Sequence, residues 1–452
     1  LFMVIFFKRT LKVSFFILYL YFSALNYVFI YVILHYREMM NMNKIRIGII
    51  GFGNRGEGMT KCILETQKNV EVAAVCDEYE DRAEAAAKLV FEAQNKKPFK
   101  TTDYKEVIKK EDIDAVMIFC AWESHIDVAC AAMESGKYAA MEVGGAYSVD
   151  DCFRLVHTYE RTGVPCMLLE NCCYGQTELM VLNMVREGLF GEIVHCAGGY
   201  CHDLRYEIAG GNINRHYRLR NYALRCCENY PTHELGPIAK VLNINRGNRM
   251  VSLTSTASKA VGMHQYISDN LDKYGELANT RFAQGDIVTT VIKCAGGETI
   301  TLTLDTTLPK MYSRQFTVRG TKGSYMEDTD TVYIDSVHHN EKNEFNAKNL
   351  WGNAEEYRKT HMHSLWKKYK EPAAKAGHDG MDFMVLSGFF EAVSKKAQTP
   401  IDVYDTAAWM SISAISEASI ACGGAPQPIP DFTNGKWIKF AKEKSELEFS
   451  LD

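Results

Sequence analysis

The sequence predicts an α/β fold: an N-terminal doubly wound parallel sheet followed by an α+β domain with a large, mostly antiparallel open sheet. Three observations carry this. A buried strand, Ile45 to Ile50, runs straight into the glycine turn Gly51-Phe-Gly-Asn-Arg-Gly56 and then into a helix. Short apolar runs next alternate with helical stretches as far as Leu169, the rhythm of parallel strands joined by crossover helices. Beyond about residue 170 the rhythm changes to β-rich runs separated by turns, and helical spacing returns only toward the end. A chain of 452 residues is too long for one ordinary core. It is expected to divide into a hydrophobic segment 1–43, a nucleotide-binding domain 44–169 and a second domain 170–452.

Residues 1–36 are almost entirely Phe, Leu, Ile, Val and Tyr, and two readings fit them. Val13 to Leu34 is long enough to span a bilayer, with basic residues on its N-terminal side. Alternatively the segment is an extension outside the natural protein, because Met39, Met40 and Met42 stand just before the first strand. No small-residue cleavage site or twin-arginine pair marks a removable signal. The first reading anchors the protein in a membrane through residues 13–34; the second makes it cytoplasmic.

Gly51, Gly53 and Gly56 have the G-x-G-x-x-G spacing. The first permits a tight turn, the second lets backbone approach a pyrophosphate, and the third lets helix pack on strand. The helix N-terminus that follows offers free N–H groups to an anion. The next apolar run, Val70 to Cys76, ends in Asp77, where a carboxylate would accept the ribose hydroxyls and repel a 2′-phosphate. NAD is therefore expected over NADP. The competing reading has Asp77 capping the helix that begins near Asp81.

Asp81 to Gln94 is alanine-rich and reads as that helix. Asp114 to Cys120 is a buried strand, closing at Ala121-Trp122-Glu123-Ser124-His125; a helix from His125 through Met133 is ended by Gly136. Tyr138 to Val143 is another strand, with Glu142 at its carboxyl end. Ser148 opens a helix to Arg161, and Val164 to Leu169 closes the series. Ligands of such sheets lie beyond the strand carboxyl ends, where Gly53, Asp77, Trp122, Glu142 and Glu170 all fall.

In the second half, Glu178 to Glu187 reads as an amphipathic helix stopped by Gly188, and Glu192 to Tyr200 as a strand. Arg249 to Ser258, Asp286 to Cys294, Thr299 to Asp305 and Arg314 to Val318 are further β runs. Ala295-Gly296-Gly297-Glu298 is the hairpin turn between two of them. Met381 to Val393 and Tyr404 to Ala421 are helical, and the polar stretch His338 to Lys375 is expected to be a surface excursion.

Composition excludes some classes of function. Charged residues make up 24% and the net charge is −5, so there is no electrostatic footprint for nucleic acid. The fourteen cysteines form no C-x-x-C and no spaced Cys/His set, which indicates neither a zinc site nor a disulfide framework. Adjacent thiols in apolar segments suit a reducing compartment. A small molecule is the expected partner.

One region departs from ordinary globular sequence: Tyr200-Cys-His-Asp-Leu-Arg205, Arg215-His-Tyr-Arg218 and Tyr230-Pro-Thr-His233. Tyrosines, histidines and arginines on loops carried by a sheet suit a carbohydrate pocket, since hydroxyls demand directional partners and sugar faces pack on rings.

With these phrases in place, residues 44 to about 437 resemble the Gfo/Idh/MocA oxidoreductases. Among them the chain is most similar to the NAD-dependent glycosidases of glycoside hydrolase family 109. The matching phrases are Gly51-Phe-Gly-Asn-Arg-Gly56, Glu170-Asn-Cys-Cys-Tyr174, Tyr200-Cys-His-Asp-Leu-Arg205, Tyr230-Pro-Thr-His233, Ile244-Asn-Arg-Gly247, Tyr312-Ser-Arg314 and Asp431-Phe-Thr-Asn-Gly-Lys-Trp437. The resemblance implies NAD held by the glycine turn with Asn54 and Arg55, by Asp77, by the turn from Trp122 to His125, and by Glu142, Val143 and Asn171. It implies sugar contacts from Tyr200, Arg218, Tyr230, His233 and Tyr312.

Enzymes of this kind cleave terminal N-acetylgalactosaminides while recycling a tightly held NAD. Oxidation at C3 acidifies the C2 proton, its removal expels the C1 substituent, water adds, and C3 is reduced again. His233 is the expected base at C3, with Tyr200 or Tyr230 acting at C2 and Arg218 anchoring substrate oxygens. Sugar dehydrogenases of the wider family carry Glu-Lys-Pro where this chain has Glu142-Val143-Gly144. The missing lysine counts against the alternative function, an NAD-dependent sugar oxidoreductase, and the intact tyrosine and histidine run counts against a non-catalytic regulator. The glycosidase pattern has Glu-Val-Pro and Tyr-Pro-Thr-His-Gly, so Gly144 and Glu234 are departures. The same resemblance implies a homodimer through the open sheet of the second domain.

Overall fold

In the computed structural model, residues 44–440 and 445–451 are described; the proposed anchor at 13–34 lies outside them. The first sheet takes its strands from β1 (Ile45–Ile50), β2 (Val70–Cys76), β3 (Phe99–Thr101), β4 (Ala115–Ile118), β5 (Tyr138–Met141) and β6 (Cys166–Leu168). All pair in parallel in the order 3-2-1-4-5-6, the doubly wound arrangement, with its switch point between β1 and β4. β1 is buried along nearly its whole length, as a strand covered by helices on both faces must be. β3 and the short helix Tyr104–Ile108 escape sequence reading because neither is long enough to show a period.

The expected helix starts hold to within a residue or two. Ser148 caps Val149–Thr162, its hydroxyl accepting from the Asp151 N–H at 3.0 Å. The helix Glu80–Gln94, by contrast, starts from Tyr79 without a side-chain cap. Asp77 is therefore not its cap. Its two carboxylate oxygens instead accept from the N–H groups of Phe52, at 2.6 Å, and Tyr79, at 3.0 Å. Those bonds tie the glycine turn to the end of β2.

The second sheet has eight strands: β7 (Ile193–Cys201), β8 (Met250–Ala257), β9 (Ile287–Cys294), β10 (Thr299–Asp305), β11 (Thr317–Gly320), β12 (Gly323–Met326), β13 (Thr331–Ile334) and β14 (Gln427–Pro428). Only the β7–β10 pair is parallel. β9 and β10 form the expected hairpin, with Gly297 at φ +107. Arg314 to Val318 does not run as one strand: Gln315 has φ +50, and the chain before it leaves the ladder. The break leaves an isolated antiparallel bridge from Ser313 to Cys201, which brings Tyr312 to the end of β7.

Two late helices join the layers. Val403–Ala421 opens at Asp402, whose carboxylate accepts from the Tyr404 and Asp405 N–H groups. The helix is buried almost all round, packing on β8, on β6 and on Val149–Thr162. Met381–Lys395 packs back on the helix Asn54–Thr66 that follows the glycine turn. The stretch 338–375 is more than a surface excursion. Within it Ser364–Ala373 is docked through Leu365 and Trp366, whose indole N–H donates to the Tyr174 carbonyl at 2.9 Å. Among the described residues no helix is long and apolar enough to cross a membrane, and all fourteen cysteines carry free thiols.

Candidate active site

A cavity of about 680 Å³ opens at the carboxyl ends of β1, β2, β4 and β5 and reaches the end of β7 in the second sheet. At its first end are Gly51, Gly53, Asn54, Arg55 and Asp77. Gly51 has φ +97, and a Cβ there would stand 2.5 Å from the Cys120 nitrogen, so no other residue fits this turn. A Cβ on Gly53 would meet nothing nearer than Arg82 Nη1 at 3.9 Å, because it would project into the crevice. The helix Asn54–Thr66 has no side-chain cap, which leaves its first N–H groups free for an anion. An uncapped helix, an open crevice over Gly53 and a carboxylate at the end of β2 together fit a dinucleotide.

The other residues expected at this end divide into two groups. Glu142, Val143 and Asn171 line the cavity, as do Glu123 and Ser124 of the turn after β4. Trp122, His125 and Gly56 stand behind the wall. His125 has its Nε2 3.0 Å from the Cys120 carbonyl, and burial pushes its imidazole down to about 4, so it is neutral. Trp122 packs under Tyr217 and Tyr230, with ring centroids 4.8 and 5.7 Å away. Gly144 explains itself here. Its φ is +155, and a Cβ would fall 2.4 Å from the Trp122 ring. Gly144→Ala is expected to destabilise the protein by about 1–3 kcal/mol through overpacking, read as a lower urea midpoint.

Arg55 has a guanidinium already engaged. It donates in bidentate fashion to both Asp382 oxygens at 2.8 Å and to Glu142 Oε2 at 3.1 Å. Asp382 also accepts from Asn171 Nδ2 at 2.9 Å and lies 2.9 Å from His378 Nδ1. Burial opposes the charge on Asp382, but Arg55 and His378 outweigh it and hold the carboxyl well below its ordinary range. Nothing in the sequence pointed to Asp382. It lies more than three hundred positions from Arg55 in the chain.

At the far end, Tyr200, Tyr230 and His233 form one cluster, with ring centroids 4.4 Å (Tyr200–Tyr230), 4.9 Å (Tyr230–His233) and 5.5 Å (Tyr200–His233) apart. Tyr200 is the last residue but one of β7; Tyr230 lies two residues before the helix Thr232–Val241 and His233 in its first turn. Burial pushes both phenols up, and Arg218 opposes the shift without overcoming it. Both are therefore hydrogen-bond donors at neutral pH. Tyr312, expected as a sugar contact, does not line the cavity: it is 52% exposed, with its ring 5.2 Å from that of His202 and 6.5 Å from that of Tyr200.

His233 Nδ1 lies 2.8 Å from Oε1 of Glu170, a fully buried carboxyl at the end of β6 that also accepts from the Cys172 N–H at 3.0 Å. Burial works against ionisation of Glu170, yet His233, Thr232 and Cys172 hold it below its ordinary value. An ionised Glu170 fixes the proton on Nδ1 and leaves the Nε2 lone pair free. Glu170, Cys172 and His233 offer ligating atoms within 4.8 Å of one another, the set a metal would need. However, Glu170 is engaged with His233, and Arg314 Nη1 stands 3.3 Å from the Cys172 sulfur, so the cluster reads as a hydrogen-bonded relay.

Arg218 is buried with its Cζ 4.9 Å from the rings of both Trp122 and Tyr230, and its Nε is 2.6 Å from Glu207 Oε1. Its Nη1 has no hydrogen-bond partner among the described residues, leaving a cationic donor at the cavity for a ligand oxygen. His202 is a further site residue: its Nδ1 lies 3.1 Å from the Tyr200 hydroxyl. The i, i+2 spacing from Tyr200 at a strand end was the available signal. Glu234 does not add a charge beside His233. It is buried against Gly198, and burial together with Glu228 pushes its carboxyl far up, so it is protonated.

A glycine turn and an acidic strand end facing a phenol and imidazole cluster define a nicotinamide-dependent enzyme on an oxidoreductase scaffold. Residues 45–169 match the oxidoreductase family with the NAD-binding Rossmann fold, and residues 174–439 match the C-terminal domain of glycosyl hydrolase 109. The chain belongs to glycosyl hydrolase family 109. It is 38% identical to an alpha-N-acetylgalactosaminidase of Tannerella forsythia, over 87% of each chain. It is 37% identical to a glycosyl hydrolase family 109 protein of Parabacteroides distasonis, over 87% of this chain and 88% of that one. Among solved structures, a levoglucosan dehydrogenase in complex with NADH and L-sorbose shares the fold. Its TM-score is 0.60 at 16% identity, covering 86% of this chain and all of that one.

Proposed function

We propose that the enzyme cleaves terminal N-acetylgalactosaminides, or a closely related glycoside, with NAD returned to its starting state in each turnover. What supports this is one cavity whose walls carry both the dinucleotide elements, Gly51 to Arg55 and Asp77, and the cluster of Tyr200, Arg218, Tyr230 and His233. NAD fits better than NADP because Asp77 would repel a 2′-phosphate and the two nearby arginines are engaged: Arg82 donates to the Asn214 carbonyl, and Arg215 pairs with Asp81.

Bound NAD would supply a transient oxidation at sugar C3, which acidifies the C2 proton so that the C1 substituent can leave before water adds. His233, held by Glu170, takes the proton of the C3 hydroxyl on Nε2. Tyr230 donates to the C3 oxygen as negative charge builds there during C2 deprotonation, and Arg218 Nη1 anchors a substrate oxygen. Tyr200 acts at C2. The C2 proton moves to the Tyr200 oxygen as the phenol's own proton moves to His202 Nδ1, 3.1 Å away, in one concerted step, so that no phenolate forms at this buried position.

The test is a nitrophenyl N-acetylgalactosaminide in deuterated water. Nitrophenol should appear without net NADH, and the released sugar should carry deuterium at C2. Cleavage with no label at C2 would sink the elimination route and favour paired-carboxylate hydrolysis. Steady NADH accumulation without cleavage would favour a sugar oxidoreductase, against which Val143 stands in place of a lysine.

A further inference from the structure

The segment Arg205–Leu224 leaves the second sheet after β7 as three short helices, Arg205–Ala209, Gly211–Asn214 and Arg218–Leu224. It lines the cavity from Glu207 to Arg220. It is fastened to both rims of the dinucleotide crevice. On the β2 side, Arg215 donates in bidentate fashion to Asp81, Nη1 to Oδ1 at 2.9 Å and Nη2 to Oδ2 at 2.6 Å. The same guanidinium lies 4.2 Å over the Tyr79 ring, and Arg82 reaches back to the Asn214 carbonyl at 2.5 Å. On the β4 side, Arg220 Nε donates to Glu123 at 2.5 Å, and Tyr147 donates to Asn221 at 2.6 Å. Arg215 ends the helix Gly211–Asn214 with φ 52 and ψ 47, the left-handed conformation of a helix C-terminus, which turns the chain toward Asp81.

We propose that this strap is a latch that retains the dinucleotide between turnovers, with the Arg215–Asp81 pair stacked on Tyr79 as its catch. The inference rests on the reading that the crevice holds NAD. A reaction that returns its cofactor to the starting state needs no exchange with solution, so a strap closing the crevice carries no penalty in rate. A dehydrogenase that must release NADH in every cycle would be slowed by it. The catch is reachable by salt: the Arg215 side chain is 38% exposed and that of Asp81 66%.

The test follows exchange of bound NAD for a fluorescent etheno-NAD in the holoenzyme, with bound and free cofactor separated by rapid desalting. Arg215→Ala should speed exchange by about tenfold, since ion pair and ring stacking are both lost, and Asp81→Ala by about three- to fivefold, since the stacking on Tyr79 remains. Raising salt from about 0.05 to about 0.5 M should speed exchange more in the wild type than in Arg215→Ala, where only the Arg220–Glu123 pair of the strap is left for salt to weaken. The reversed pair Asp81→Arg with Arg215→Asp should recover part of the slow exchange, and Asp81→Asn serves should either alanine variant fold poorly. Exchange within twofold of wild type in both single variants would overturn the latch. So would fast exchange in Arg215→Ala alone, since Arg215 would then hold the cofactor directly. A wild-type protein that takes up neither dinucleotide would overturn the NAD reading and the latch with it, a result distinct from NAD bound but unlatched.

Discussion

Replacing His233 with alanine is expected to lower turnover of the nitrophenyl glycoside by about 10²- to 10⁴-fold, the range for loss of a positioned acid or base, while NAD stays bound. The imidazole faces the cavity end opposite the glycine turn, so the dinucleotide elements do not depend on it. Glu170→Gln should fall in the same range with its cofactor also retained. The carboxylate 2.8 Å from Nδ1 is what fixes the proton there, and a glutamine amide can present its N–H₂ to that nitrogen and reverse the tautomer. Because the two residues act as one unit, the double variant should be no slower than the slower single one. Steady-state rates with bound NAD measured in parallel check all three. Multiplying effects would mean that Glu170 works apart from His233.

Asp382→Ala is expected to destabilise the protein by about 1–3 kcal/mol, since Arg55 keeps only Glu142 as a partner and the buried Asn171 amide loses its acceptor. Asp382 is 3% exposed, and it gathers Arg55, Asn171 and His378 from three separate elements around one carboxylate. The sign of its pH dependence follows from the depressed carboxyl. Such a group stabilises the fold above its unfolded value of about 3.9, and the contribution is lost as the pH falls from there toward the lower folded value. Asp382→Asn should therefore flatten part of the wild-type loss of stability below about pH 4. Urea unfolding across that acid range reads it directly, and an unchanged acid slope in Asp382→Asn would count against the clamp. NAD affinity should fall too, because Arg55 and Asn171 would lose the partner that holds them at the cavity wall.

The dinucleotide half of the site was legible because its chemistry is local in the chain. Gly51 to Gly56 and Asp77 are separated by one helix and one strand, and glycine at Gly51 is demanded by a backbone conformation that any reader of the spacing can infer. Tyr200, Tyr230 and His233 stood out by residue type, and the structure brings them to one cluster. The turn after β4 reaches the cavity through Glu123 and Ser124 and not through the expected Trp122 and His125. Trp122 and His125 turn inward because their rings have more surface to bury than Glu123 and Ser124.

Read alone, the sequence determined the parallel sheet, the β9–β10 hairpin of the second sheet and the identity of the phenols and imidazole, because hydrophobic period and turn chemistry act over a few residues. Only the tertiary structure decided what each of those groups is bonded to. Glu170 behind His233, Asp382 behind Arg55, and Arg215 across the crevice on Asp81 are all pairings between distant segments. A charge in a buried or partly buried site takes whichever opposite charge the packing of whole elements delivers, and no local pattern records that choice.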